Sequence, residues 1–253
     1  MRTTLSKRTA TLIALASLGL AACGGGGGGS APATPPPVQT VGAEGFWSGT
    51  TSNGLGIRGA VLENGEYWFM YYANGVLYGV VQGTGTANNG SFTSTNGRDF
   101  YFDGTVTPGT VSASYRERNS LQGTATPQGG GTPIAFAATY DASYETPATA
   151  AAVSGAWRGQ LATGETYTIN VAANGAFTGA GASGCTFGGS IAPRASGKAV
   201  YDLTVTFNGG VCALGTQTLR GIAAVAGSGA AQALYAAALD ATRSSGFVAI
   251  SVR

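Results

Sequence analysis

The sequence predicts an all-β protein: two small antiparallel β-barrel or sandwich domains in tandem. Three observations carry this. Beyond residue 40, turn signals recur every ~8–12 residues, the spacing of short strands in sandwiches and barrels. Between the turns, apolar and polar residues alternate, and no stretch shows a convincing helical stripe. Finally, Gly45-Phe46-Trp47-Ser48-Gly49 recurs as Gly155-Ala156-Trp157-Arg158-Gly159, and each copy opens a segment of ~100 residues, the size of a small domain. The repeated match is short, so a single larger sandwich is the alternative.

Residues 1–22 are expected to be a secretion signal. Arg2, Lys7 and Arg8 form a basic start, and Thr9 to Ala22 is an apolar run. That run is shorter than the ~20 residues a membrane span needs. It closes on Leu20-Ala21-Ala22-Cys23. This resembles the lipobox of bacterial lipoproteins, in which the cysteine sulfur takes a diacylglycerol and the chain is cleaved before it. The resemblance implies lipidation of Cys23 (diacylglycerol and palmitate) and a firm membrane anchor, since stable attachment takes more than one acyl chain. Gly24 follows where an Asp would retain such a protein in the inner membrane, so a cell outer-membrane location is expected, surface or periplasmic.

Residues 23–40 form a tether. Gly24 to Gly29 are flexible, and Pro35-Pro36-Pro37 stiffens the far end. Domain one is expected at 41–145, a Pro- and Ala-rich linker at 146–154, and domain two at 155–253.

Hairpin turns are predicted at Asn64-Gly65, Asn74-Gly75, Asn89-Gly90, Asn96-Gly97, Asn174-Gly175 and Asn208-Gly209, because Asn and Gly accept positive φ. In Tyr201–Phe207, alternation turns Tyr201, Leu203, Val205 and Phe207 to a core and Asp202, Thr204 and Thr206 to water. Ala230–Ala241 is rich enough in Ala to favour helix, but its context predicts a strand.

Loss of residues 1–22 removes three of the thirteen basic residues, leaving ten against eleven acidic ones, so the net charge moves from +2 to about −1. No electrostatic case for nucleic acid remains. With Cys23 taken by lipid, as the lipobox resemblance implies, Cys185 and Cys212 remain. In an oxidising compartment an even remainder predicts one disulfide, worth ~3 kcal/mol on the chain-entropy account. A pair of free or metal-binding thiols is the alternative, though the chain has no His and no close Cys-x-x-Cys.

The same absence of His excludes a Ser-His-Asp triad and a Cys-His pair. Lys198, the one lysine of the mature chain, follows Ser196 at the wrong spacing for a Ser-x-x-Lys acylase. Asp99 and Asp103 lie ~13 Å apart along a strand, beyond the about 6.5–9.5 Å of an inverting glycosidase pair. They are expected at solvated strand ends, as is the Arg116-Glu117-Arg118 cluster. A non-enzymatic protein without cofactor or metal is the expectation.

The aromatic run Tyr67-Trp68-Phe69-Met70-Tyr71-Tyr72 is apolar on both faces, where a half-buried strand would be polar on alternate positions. Either the strand is covered on both sides, or one face is an aromatic platform for a partner. Trp68, Met70 and Tyr72 would form that platform, joined by Tyr78 and Tyr101. Domain two is poorer in aromatics and is expected to be the structural module.

A Gly-x-Trp at the start of a first strand resembles the opening of lipocalin-like barrels, where the Trp plugs one end. Lipobox, tether and two β-domains together resemble the two-barrel surface lipoproteins of Gram-negative bacteria, such as the transferrin-binding and factor H-binding types; no binding residue carries over from them. Gly184-Cys185-Thr186-Phe187, Cys212-Ala213-Leu214 and Ser244-Ser245-Gly246-Phe247-Val248 resemble uncharacterised proteobacterial lipoproteins across most of 148–253. The functional expectation is a lipid-anchored, monomeric envelope protein that binds a partner through domain one. A structural envelope protein without a ligand, or a lipocalin-like carrier of a small apolar ligand, are the alternatives.

Overall fold

The computed structural model describes residues 42–161 and 164–253. The signal, Cys23 and the tether lie outside the described residues. The nine strands of the first half are β1 (Gly45–Thr51), β2 (Gly56–Val61), β3 (Glu66–Ala73), β4 (Val76–Thr84), β5 (Thr86–Asn88), β6 (Ser91–Tyr101), β7 (Val106–Arg116), β8 (Ser120–Pro127) and β9 (Ile134–Asp141). β4 and β5 act as one strand bent at Gly85, and both pair with β6. The Phe92 ring fills the space a Cβ at Gly85 would need. Each strand is antiparallel to the next and β9 returns to β1, so the sheet closes as an eight-stave barrel.

The second half repeats the plan. β10 (Gly155–Gln160), β11 (Thr166–Val171), β12 (Ala176–Gly181), β13 (Thr186–Pro193), β14 (Tyr201–Phe207), β15 (Thr218–Ala226), β16 (Ala233–Leu239) and β17 (Gly246–Val252) form a closed eight-strand barrel. Closure pairs the long strands of both barrels on each side, which removes the open edges of a sheet, and leaves only the short β5 with a single partner, β6. The Ala-rich segment is strand β16, as its context predicts. β14 alternates as read: Tyr201, Leu203 and Val205 are buried and Phe207 is half-buried, while Asp202 and Thr206 are exposed.

The repeated tryptophans do the same task in each barrel. Trp47 is fully buried and its indole N–H donates to the Ala43 carbonyl at 3.0 Å. Trp157 donates to the Val153 carbonyl at 2.8 Å. Each bond reaches four residues back, tying the incoming chain across the barrel end. Tyr140 meets Trp47 edge-on, and the Arg253 guanidinium lies 4.5 Å over the Trp157 ring.

The Asn-Gly turns behave as expected with two exceptions, one of them Asn208-Gly209, which opens the long loop between β14 and β15 and is not a tight hairpin turn. Asn74-Gly75 and Asn89-Gly90 both hold positive φ at both positions (Asn74 50°, Gly75 77°; Asn89 47°, Gly90 80°), the requirement of a two-residue hairpin. Asn96-Gly97 is not a turn. It lies inside β6, where the pairing with β7 shifts register between Ser94 and Gly97. Asn96 Oδ1 accepts the Thr84 N–H at 2.8 Å, which anchors this bulge to the neighbouring strand.

Cys185 and Cys212 form a disulfide across 27 residues, joining the β12–β13 and β14–β15 loops at one end of the second barrel. Between the barrels, 146–154 is more than a spacer. Ala150–Val153 makes a helical turn capped by Thr149, whose carbonyl accepts the Tyr201 hydroxyl at 2.8 Å.

The barrels pack side by side. Trp68 and Val80 of the first bury against Ala237 and Leu239 of the second, with Met70, Phe100, Ile222 and Val248 around them. Beside this patch Ala60, Leu62, Tyr144 and Val200 form a second shared cluster. Polar clasps flank the apolar contact. The largely buried Arg194 donates to Glu63 across the interface at 2.8 Å and to Asp202 within its own barrel. Arg243, in the β16–β17 turn, donates to the Gln82 side chain at 2.6 Å and to the Gln82 and Asn96 carbonyls at 2.8 and 2.9 Å. Arg98 returns the contact by donating to the Thr242 carbonyl at 2.8 Å.

Candidate functional site

The two barrels differ inside. The second is filled by Trp157, Tyr167, Ile169, Phe177, Ile191, Leu203, Leu219 and Leu234. The first contains a cavity of about 180 Å³ above the Trp47 end. Ile57, Phe69, Val81, Val111 and Phe136 form its apolar walls, with Val61, Tyr67, Phe92 and Leu121 toward the floor. Strand alternation explains the lining: Tyr67, Phe69 and Tyr71 of β3 point inward, while Trp68 and Met70 point outward to the second barrel. The Tyr67 hydroxyl deep in the wall is satisfied by Ser94 Oγ at 3.1 Å. The polar groups of the cavity gather at the opposite end, where Thr51, Asn53, Asp99 and Tyr101 line it.

Asp99 is the charged group of this site. It does not sit at a solvated strand end, as its sequence context suggests; the bulge in β6 turns it, half-buried, into the barrel. The Tyr71 hydroxyl donates to Asp99 Oδ1 at 2.8 Å, and the Tyr101 hydroxyl acts on the same carboxylate. Burial pushes the Asp99 carboxyl above its ordinary range, and the two hydroxyls offset part of that rise. Burial, then the Asp99 charge, pushes the Tyr71 phenol well above the usual range, so Tyr71 stays a proton donor in this contact. No salt bridge reaches Asp99 among the described residues. Its neighbour Arg98 points out of the barrel to the β16–β17 turn. Asp103 lies beyond the strand in an exposed turn, where it accepts the Thr105 N–H at 2.8 Å, so the two aspartates share no site.

The five residues read as a possible platform are dispersed. Trp68 is 5% exposed and covered by the second barrel together with Met70. The Tyr72 ring lies over Gly56. Tyr78 is 48% exposed on the outer wall. Tyr101 is 40% exposed at the rim of the cavity, edge-on to Tyr71 with 6.2 Å between ring centres. The aromatic strand is thus covered on both faces, one lining a cavity and the other an interface. Asp99 and Tyr71 are the site residues that sequence reading passed over. The available signal was the Asn96-Gly97 pair inside a long strand, which marks a bulge as well as it marks a turn.

A second cavity of about 520 Å³ lies between the barrels, lined by Arg58, Trp68, Met70, Ile222 and Tyr235 among others. Arg58 donates to the Tyr235 hydroxyl across it at 3.3 Å. Among the described residues no group of three or more His, Cys, Asp or Glu side chains could hold a metal ion. No protein-family model, no curated protein and no solved structure matches this chain.

Proposed function

We propose that this protein is a lipid-anchored envelope protein of the outer membrane whose first barrel binds a small apolar molecule. The observation that supports this reading is the contrast between the barrels: one interior is packed, the other holds an apolar-lined cavity whose polar groups gather at one end. Apolar walls with a few convergent polar groups are the general form of a small-molecule site. A partner protein docking on the outer face of β3 is disfavoured, because Trp68 and Met70 already face the second barrel. The second barrel and its disulfide serve as the rigid support.

Native mass spectrometry of the full chain, isolated without harsh detergent, tests the binding reading. A small molecule should accompany the protein and be lost from Ala125→Phe, which fills the cavity from its wall. A bound molecule retained unchanged by that variant would place binding elsewhere. The anchor is tested separately: Cys23→Ser should move the protein from the membrane fraction to the soluble one, and retention in the membrane would remove lipidation from the proposal.

A further inference from the structure

We infer that the ligand of the first barrel is a protonated amine with an apolar body about the size of one aromatic ring, its ammonium held by Asp99, Tyr71 and Tyr101. This rests on the reading of the cavity as a binding site and replaces a wholly apolar occupant by one with an apolar body and a cationic head.

The body follows from the volume. An apolar cavity of roughly 150 Å³ accommodates benzene, and this one measures about 180 Å³ with walls of Ile, Val, Phe and Tyr. The head group follows from Asp99. An ionised carboxylate offers about four acceptor sites, and the hydroxyls of Tyr71 and Tyr101 occupy at most two. No Arg or Lys forms a salt bridge with it among the described residues. A half-buried carboxylate without a cation is a cost to the fold, and a barrel interior needs none. The cost is removed by a ligand that brings the cation. A primary ammonium has three donors and no acceptor. Those donors match the remaining oxygen of Asp99 and the lone pairs of the two phenols. The Tyr71 and Tyr101 rings, meeting edge-on beside the carboxylate, add aromatic surface of the kind that favours cations. A ligand carboxylate would meet Asp99 as a like charge and be rejected.

Calorimetric titration of the full chain carrying Cys23→Ser, at neutral pH, tests this with three probes of one body size: 2-phenylethylamine, ethylbenzene and 3-phenylpropionate. The amine should bind at least roughly tenfold more tightly than the hydrocarbon, and the acid should not bind. Asp99→Asn keeps the shape and removes the charge, and should weaken the amine roughly 30-fold or more while leaving ethylbenzene unchanged. Should that variant not fold, the comparison of head groups on the unaltered barrel decides alone, and Tyr101→Phe, at the exposed rim, should cost the amine several-fold. Equal binding of amine and hydrocarbon would overturn the ammonium assignment while leaving the apolar cavity as a binding site. Binding of none of the three would overturn both.

Discussion

Trp68→Ala should separate the unfolding of the two barrels. Trp68 stands on the outer wall of β3, is 5% exposed, and packs on Val80, Ala237 and Leu239, with its indole N–H donating to Glu66 at 2.8 Å. A buried Trp removes about 150–250 Å² from water. At ~25 cal/mol per Å² this is about 4–6 kcal/mol, and a compact unfolded chain lowers it to roughly 3–5 kcal/mol. That is the usual range for Trp→Ala in a core. A domain of this size loses about 2–4 °C per kcal/mol, so the midpoint should fall by roughly 6–20 °C. Because the contacts with Ala237 and Leu239 couple the two barrels, their loss should let the heat-capacity trace resolve into two transitions. Differential scanning calorimetry on the full chain reads both effects. Tyr78→Ala, on the same outer surface but 48% exposed, should stay within about 0.5 kcal/mol. A Trp68→Ala protein that unfolds in one transition at an unchanged temperature would refute the packed interface.

Three further outcomes follow from the same contacts. Arg243→Ala leaves the buried Gln82 amide oxygen and two carbonyls without their donor, and should cost about 2–3 kcal/mol in chemical unfolding; Arg243→Lys should not rescue it, because one ammonium cannot reproduce the fork, and combination with Trp68→Ala should be less than additive, since both act on one interface. Asp99→Asn should raise thermal stability near neutral pH. The folded pKa of Asp99 is raised by burial, so its contribution is present in full below the unfolded value of about 3.9 and is lost as pH rises through the folded value; the gain from Asn should therefore be small near pH 4 and grow toward neutrality, and a gain that is largest in acid would contradict this sign. Cys185→Ser with Cys212→Ser should cost about 3 kcal/mol in urea unfolding under non-reducing conditions, with a loss confined to the second barrel once the interface is broken.

Much of the architecture was legible because it rests on local rules. Asn74-Gly75 and Asn89-Gly90 form hairpins because two neighbouring residues tolerate positive φ, and no distant contact is needed. The inward set of β14 was readable for the same reason: one register and one period of two from Tyr201 to Phe207. The repeated Gly-x-Trp marked the start of each barrel, since each indole bonds only four residues away.

The site was not legible, and the reason is a single bulge. Counted in twos from the inward Phe92, Arg98 and Phe100 would face the interior of β6. The register shift between Ser94 and Gly97 exchanges the faces, so Asp99 and Tyr101 enter the barrel while Phe100 joins the interface. A slip of one residue inverts every side chain beyond it, and only the pairing with β7 and the Asn96–Thr84 bond decides where it falls. Sequence alone therefore determined the all-β class, the tandem repeat, most of the turns and the cysteine pair, all matters of composition, spacing or a few adjacent residues. Tertiary structure decided which face of the aromatic strand lines a cavity and which meets the second barrel, because Trp68 meets Leu239 and Tyr71 meets Asp99 only after both sheets have closed.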